Sequence, residues 1–345
     1  MSTSTHTPFG MTGSLADLQP VAPAAQRLRD LVKSAILAPS SHNSQPWIFH
    51  IPINCAFVEL YADRTRRLPV VDPDDRELTM SCGSALYGLR LAARHAGYTD
   101  LVELLPDEDD RDLLARLHLG APYTTSADEE ALFAAMEKRR TNRRPFVART
   151  IPEDVLEAMC RDAASDGAML TILRTQDERA RTATVIAGAD RIQWSDPAFR
   201  RELAAWMHPN HTGSRDGMAG YAFGFGDWAS YVGPLVMRTF DLGRGRAARD
   251  QELALGSPYM AILWTVGDRP RDWIAAGEAL QHLLLRAATA GVSASFLNQP
   301  VEVPELRAVL REELGISGHV QSVLRVGYGP PIDAPPRRPL EDVMR

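Results

Sequence analysis

Apolar residues recur at helical spacing in several stretches of the chain and cluster or alternate as strands in others. The spacing predicts helices over 27–37, near 129–139, from Pro152 onward and near 176–193, and again over 83–97 and 277–291. Strand patterns fall at 56–61, 117–120, 169–173, 260–266 and 320–327. Asp72-Pro73 reads as the start of the helix that carries 83–97, with Asp as N-cap and Pro in the first turn. Glycines at 97 and 291 suit helix C-termini.

Two of these helices are near copies. GSALYGLRLAARHAG (83–97) laid on GEALQHLLLRAATAG (277–291) gives eight identities in fifteen positions, both glycines included. The register persists into a following strand, Leu117-His118-Leu119-Gly120 in one case and Leu324-Arg325-Val326-Gly327 in the other. An internal repeat of this kind predicts an α+β chain built from two related halves. The halves fall at 26–128 and 129–345, after an arm over 1–25 that is rich in Ser, Thr, Pro and Gly and reads as disordered. The stretch 195–256 has no counterpart in the first half. Its glycines and aromatics, Tyr221 and Trp228 among them, suit a lid, and 329–345 forms a Pro/Arg arm.

Charge narrows the function classes. The 345 residues carry a formal −6, which argues against nucleic acid as partner. Only Lys33 and Lys138 are lysines among 38 basic residues, so arginine pairs arise easily by composition alone. Three cysteines without a CxxC predict buried thiols rather than a disulfide framework or zinc site. His208 and His211 have ligand-like spacing but no evident carboxylate or thiol partner, so no metal is expected. Gly224-Phe225-Gly226 lacks the strand–turn–helix context of a nucleotide fingerprint. No apolar run reaches spanning length and no signal peptide is evident, so a soluble cytoplasmic protein is expected.

Two motifs carry the chemistry. Pro39-Ser40-Ser41-His42-Asn43-Ser44-Gln45-Pro46-Trp47 groups short neutral donors and acceptors before an aromatic. Lys138-Arg139-Arg140-Thr141-Asn142-Arg143-Arg144 is a cationic strip with a hydroxyl inside it. Planar guanidinium forks suit a phosphate dianion, and neutral amides and hydroxyls suit the polar edges of a flat heterocycle. Both motifs resemble those of the FMN-dependent nitroreductases, but in reversed order, and each half keeps only one of them. That is similar to the Acg-like branch, whose members are single-chain pseudo-dimers with a lid over one FMN.

The resemblance implies a nitroreductase-like α+β fold and a set of flavin contacts. Arg139, Arg140, Thr141 and Arg143 would meet the phosphate, ribityl chain and pyrimidine edge, with Arg337 and Arg338 closing on the phosphate. Pro39, Ser40, Ser41, Asn43 and Gln45 would meet the flavin from the other half, and Leu297-Asn298-Gln299 would pass near its reactive nitrogen. His42 would pack on the ring or turn to solvent, and Tyr221 and Trp228 would stack from the lid. The implied activity is electron transfer from NAD(P)H to a nitroaromatic, quinone or similar small aromatic acceptor, with no side chain singled out as catalytic. The alternative is FMN storage beneath a closed lid. The chain would act as a monomeric pseudo-dimer or pair further as a homodimer.

Overall fold

The computed structural model describes residues 25–53, 55–223 and 226–345, so the arm up to residue 24 and Gly224-Phe225 lie outside it. The first part of the chain runs α1 (Ala25–Ala35), β1 (Trp47–His50), β2 (Phe57–Ala62), α2 (Arg76–His95), β3 (Tyr98–Leu104), β4 (Leu113–Pro122) and α3 (Ala127–Ala135). Its sheet has the order β1-β2-β4-β3, antiparallel throughout.

The second part begins with α4 (Glu153–Ser165), β5 (Met169–Leu173), α5 (Gln176–Ser195), α6 (Pro197–Ala205), β6 (Met207–His208) and β7 (Met218–Ala219). It continues with α7 (Asp227–Thr239), α8 (Gly243–Leu255), β8 (Tyr259–Thr265), α9 (Pro270–Thr289), β9 (Ser293–Phe296), α10 (Pro304–Glu313), β10 (His319–Gly327) and α11 (Leu340–Val343). Its sheet, β5-β8-β10-β9, is again antiparallel and has the first sheet's order: first, second, fourth, third.

The helices and strands the pattern places are present, whereas β1, β3, β9, α10 and the elements α6 to α8 have no counterpart in it. The helix expected from Asp72-Pro73 starts at Arg76, behind Asp75 in a left-handed conformation. Asp72 still serves that end, because its carboxylate accepts from the amides of Glu77 (3.0 Å) and Leu78 (2.9 Å), two donors a helix start leaves unpaired. The line between 128 and 129 falls inside the first turn of α3, whose capping box is Ser126 with Glu129. Thr175 and Glu178 cap α5 in the same way.

The repeat helices α2 and α9 pack across each other. Gly83 and Gly277 sit at the crossing, and Ser84 Oγ donates to the Gly277 carbonyl at 2.8 Å. Three residues before each glycine the side chains change sides: Ile274 of α9 lies in the core of the first sheet, and Met80 of α2 in that of the second. The two cores therefore interlock through equivalent repeat positions.

The long stretch between β5 and β8 holds α5 to α8. Trp194, Phe199, Leu203, Met207, Met218 and Met237 from it form a cluster with Leu68 and Val71 of the first part. Glu202 fastens that contact by accepting from the amides of Val70 (2.9 Å) and Val71 (3.1 Å). The 195–256 insertion is thus a packed helical unit spanning both parts. Among the described residues no helix is long and apolar enough to cross a membrane.

Candidate active site

The segment after α1 is bent sharply: His42, Asn43 and Gln45 all have positive φ, at 53°, 55° and 52°. Left-handed conformations cost L-residues roughly 1–2 kcal/mol each, least for asparagine, so such a loop persists only where its surroundings hold it. Two other segments do so. Asn43 Nδ2 donates to the carbonyls of Gly217 and Pro336, both at 3.1 Å, while Asn43 Oδ1 accepts from Arg337 Nη1 at 2.8 Å. Gln45 is wholly buried; its amide donates to the Arg215 carbonyl (2.9 Å) and accepts from the Arg338 amide (2.8 Å). The loop is therefore pinned between the insertion and the C-terminal arm.

The basic motif begins where α3 ends, and Arg139 N–H still bonds the Ala135 carbonyl at 2.8 Å. Asn142 then docks on the second sheet's edge, its backbone N–H donating to the Ala294 carbonyl at 2.8 Å, and Arg325 Nη2 accompanies it by donating to the Asn142 and Arg144 carbonyls, both at 3.0 Å. The motif is thus carried to the face that the Pro39–His42 loop approaches from the other part.

Two adjoining cavities open there. The larger, about 200 Å³, is lined by Pro39 to His42, Leu297, Asn298 and Gln299, with Trp194, Phe199 and Leu203 from the insertion side. The smaller, about 90 Å³, is lined by Asn43, Arg139, Thr141, Arg144, Tyr221 and Arg337. Pro39, Ser40, Arg143, Met218 and Arg249 line both, which makes them one continuous cleft.

The smaller cavity is mainly cationic, with Asp333 the one acid among the arginines that line it. Arg139 is 5% exposed; its Nη2 donates to the Leu37 carbonyl at 3.2 Å, while its Nε and Nη1 lack a partner. Arg337 bonds Asn43 Oδ1 and the Leu37, Ala38 and Pro336 carbonyls, and its Nε is also unpartnered. Burial, then the neighbouring guanidinium charges, push Arg139 down to about 9 and Arg337 to about 10. A buried charge without a counter-ion is unfavourable, and an anion of phosphate geometry placed between these forks would satisfy both.

The larger cavity mixes charges. Burial and the Arg143 guanidinium push His42 down to about 4, so its ring is neutral. Ser41 Oγ donates to Glu77 at 2.5 Å. Asp190 and Asp250, from α5 and α8, face Gln299, whose Nε2 donates to both at 3.3 and 2.9 Å. Arg325, 1% exposed, stands 4.1 Å from the Phe146 ring centre and has two unpartnered nitrogens.

Several residues expected at the flavin do not line these two cavities. Gln45 and Arg338 line neither cavity and instead fasten the C-terminal arm to the loop, Arg338 Nη1 donating to the Gln45 carbonyl at 3.0 Å. Arg140 lines neither and bonds back to the Arg139 carbonyl. Trp228 is 86% exposed and lines neither; Tyr221 lines the smaller cavity. His208 and His211 face Asp216 (3.3 Å) and Asp227 (3.0 Å). The pattern did not flag Asp190, Asp250, Glu302 or Arg249; a buried arginine in an apolar strand, Arg325, was the one signal on offer.

Fold and cleft together define an α+β scaffold whose two sheets border one crevice with an arginine-rich end. The chain belongs to the nitroreductase family, whose model matches residues 136–328. A Mycobacterium tuberculosis protein provisionally named an NAD(P)H nitroreductase is 30% identical over 331 residues, 93% of this chain and 92% of that protein. The Acg protein of the same organism, provisionally named likewise, is 27% identical over 327 residues, 91% and 95% of the two chains. Among solved structures, the FMN-dependent nitroreductase NfnB from Mycobacterium smegmatis, in complex with NADPH, is 16% identical with a TM-score of 0.41, covering 63% of this chain and 97% of its own.

Proposed function

We propose that the chain is an FMN-dependent oxidoreductase that takes electrons from NAD(P)H and passes them to a nitroaromatic, quinone or similar acceptor. The observation that carries this is the pair Arg139 and Arg337, with unpartnered guanidinium nitrogens, in one arm of a cleft whose other arm combines apolar and aromatic residues with neutral and charged polar groups. Phosphate chemistry fits the first arm and a flat ring system the second. Arg139, Arg337 and Thr141 would hold the phosphate, and Pro39, Ser40, Ser41, His42, Leu297 and Asn298 would enclose the ring. When bound, the flavin supplies two-electron redox chemistry; the protein's part is to orient it and exclude water. The nicotinamide donor is supported by the relatives' names.

In this reading the two sheets are the halves of a pseudo-dimer that holds one flavin per chain, with 195–256 as a lid. Their shared strand order and the α2–α9 crossing support it. A second reading, FMN storage, is favoured by one observation: insertion residues Phe199, Leu203, Met218, Tyr221 and Arg249 contribute to the cleft walls, so the insertion caps the cleft.

An anaerobic titration of the FMN-loaded protein with NADPH and then NADH tests both. Rapid bleaching of the flavin absorbance is the expected result. A flavin left oxidised by both nucleotides but reduced by dithionite would replace the oxidoreductase by the storage reading. Failure to bind FMN would overturn both.

A further inference from the structure

Asp190, on α5 just before the insertion, and Asp250, on α8 within it, converge on the larger cavity. They are 2% and 5% exposed. A single amide links them: Gln299 Nε2 donates to Asp190 Oδ1 at 3.3 Å and to Asp250 Oδ2 at 2.9 Å. The other Asp190 oxygen, Oδ2, is buried without any partner, in a residue that lines the cavity. Asp250 Oδ2 also pairs with Arg246 Nη2 at 3.8 Å, which favours its ionised form and leaves the proton to Asp190. Two enclosed carboxylates this close resist ionising together, because each negative charge raises the cost of the second.

We propose that Asp190 and Asp250 hold one proton between them and deliver it to the acceptor bound in the larger cavity, Asp190 being the donor. This rests on the oxidoreductase reading above. Reduction of a quinone to a hydroquinone takes one hydride and one proton. The hydride originates on the nicotinamide. The proton leaves the Asp190 carboxyl: its O–H bond breaks, an O–H bond forms on the acceptor oxygen, and the pair is left doubly ionised. Solvent then returns the proton.

The surroundings suit that cycle. From α8, Arg246 and Arg249 face the pair, joined by Arg191 of α5, Arg325 of β10 and Arg143 of the basic motif. Their charges favour the ionised state after donation, while burial and mutual repulsion push Asp190 up to about 7 before it. A donor poised near neutral pH combines a populated acid form with a ready release.

The test compares wild type with Asp190→Asn, a near-isosteric stand-in for the neutral acid, both loaded with FMN. Turnover is measured with a soluble benzoquinone and with ferricyanide, a one-electron acceptor that takes no proton. The benzoquinone-to-ferricyanide ratio of kcat is expected to fall by about 10²-fold or more in the variant. Wild-type benzoquinone turnover should decline as pH rises through about 7, a limb the variant lacks. Independently of the flavin, carboxyl ¹³C NMR of the apo protein should find one proton held by the pair between the ordinary aspartate value and about 7. Equal losses with both acceptors, the same pH limb in the variant, or two carboxyls titrating normally would overturn the proposal. If wild type reduces neither acceptor, the functional reading falls and takes the donor role with it, while the NMR titration still decides whether the pair holds a proton.

Discussion

Gly83 and Gly277 touch where α2 and α9 cross, and neither leaves room for a side chain. A Cβ on Gly83 would stand 2.3 Å from the Ile274 carbonyl oxygen, and one on Gly277 would stand 2.0 Å from that of Met80. Glycine is costly inside a helix, and alanine would ordinarily gain about 1 kcal/mol there. Here the obstacle is helix backbone, which cannot swing aside, and overpacking costs about 1–3 kcal/mol or more. Gly83→Ala and Gly277→Ala are each expected to lower stability by a net ~1–2 kcal/mol, read as a shift in the urea midpoint. An unchanged or raised midpoint would mean the crossing is looser than described.

The bare arginines make binding and stability move apart. Arg139→Met removes a buried charge that has one carbonyl partner. Apo-protein melting is therefore expected to hold or rise. FMN affinity should fall about 10- to 100-fold, the worth of one charge-assisted hydrogen bond of about 1.5–3 kcal/mol. Fluorescence titration of FMN beside a thermal melt measures both. A variant that loses stability while keeping its affinity would place the phosphate elsewhere.

Asn43 ties three segments together and sits in a conformation asparagine tolerates better than most. Asn43→Ala loses the ties and adds strain; Asn43→Gly loses the ties alone. Both are expected to speed tryptic cleavage at Arg215 and Arg337 several-fold over wild type. Protection by alanine and glycine variants alike would show that the loop is held by other contacts.

Buried acids set the pH dependence. Burial and nearby Glu77 push Glu302 up to about 8, although Gln193 Nε2 donates to it at 2.6 Å. The folded chain thus binds this proton more tightly than the unfolded one, whose value is 4.5. The resulting stability is complete below the unfolded value and is lost as pH rises through about 8. Asp72, raised by burial and Glu77 to about 6, acts in the same direction. Asp268 acts oppositely: despite burial, Arg307, Trp273 and Gln321 hold it well below the ordinary range, so its contribution is lost only in strong acid. Melting temperature should therefore fall from mildly acidic pH toward pH 8, and Glu302→Gln should flatten that slope. A slope identical in the variant would exclude Glu302 as its source.

What the sequence made legible follows from how each element is stabilised. Helices α4 and α9 announce themselves because an apolar stripe packs on a sheet or a neighbouring helix. Strands β3 and β9 do not. Tyr98–Leu104 is an edge strand carrying Asp100, which is salt-bridged to Arg90 and Arg94, so its charges read as solvent-facing. Ser293–Phe296 is short and built mainly from small residues. The motif residues that line the cleft, Pro39 to Asn43 with Arg139, Thr141 and Arg143, were recognisable as local clusters. Asp190 and Asp250 were not, because each sits singly on a charged helix and only packing of α5 against α8 unites them. Gln45 and Arg338 look like ligand-binding groups in sequence, yet they satisfy each other 293 residues apart.

The two sheets share a strand order but not a first link: residues 51–56 join β1 to β2, whereas 174–258 join β5 to β8. Identical subunits encoded by one short gene would be obliged to carry such a link twice or not at all. A chain holding both sheets is released from that obligation and can cover one crevice while leaving its mirror position bare. On the pseudo-dimer reading proposed above each chain holds one flavin, so FMN binding to a single chain is expected to follow one simple saturation curve.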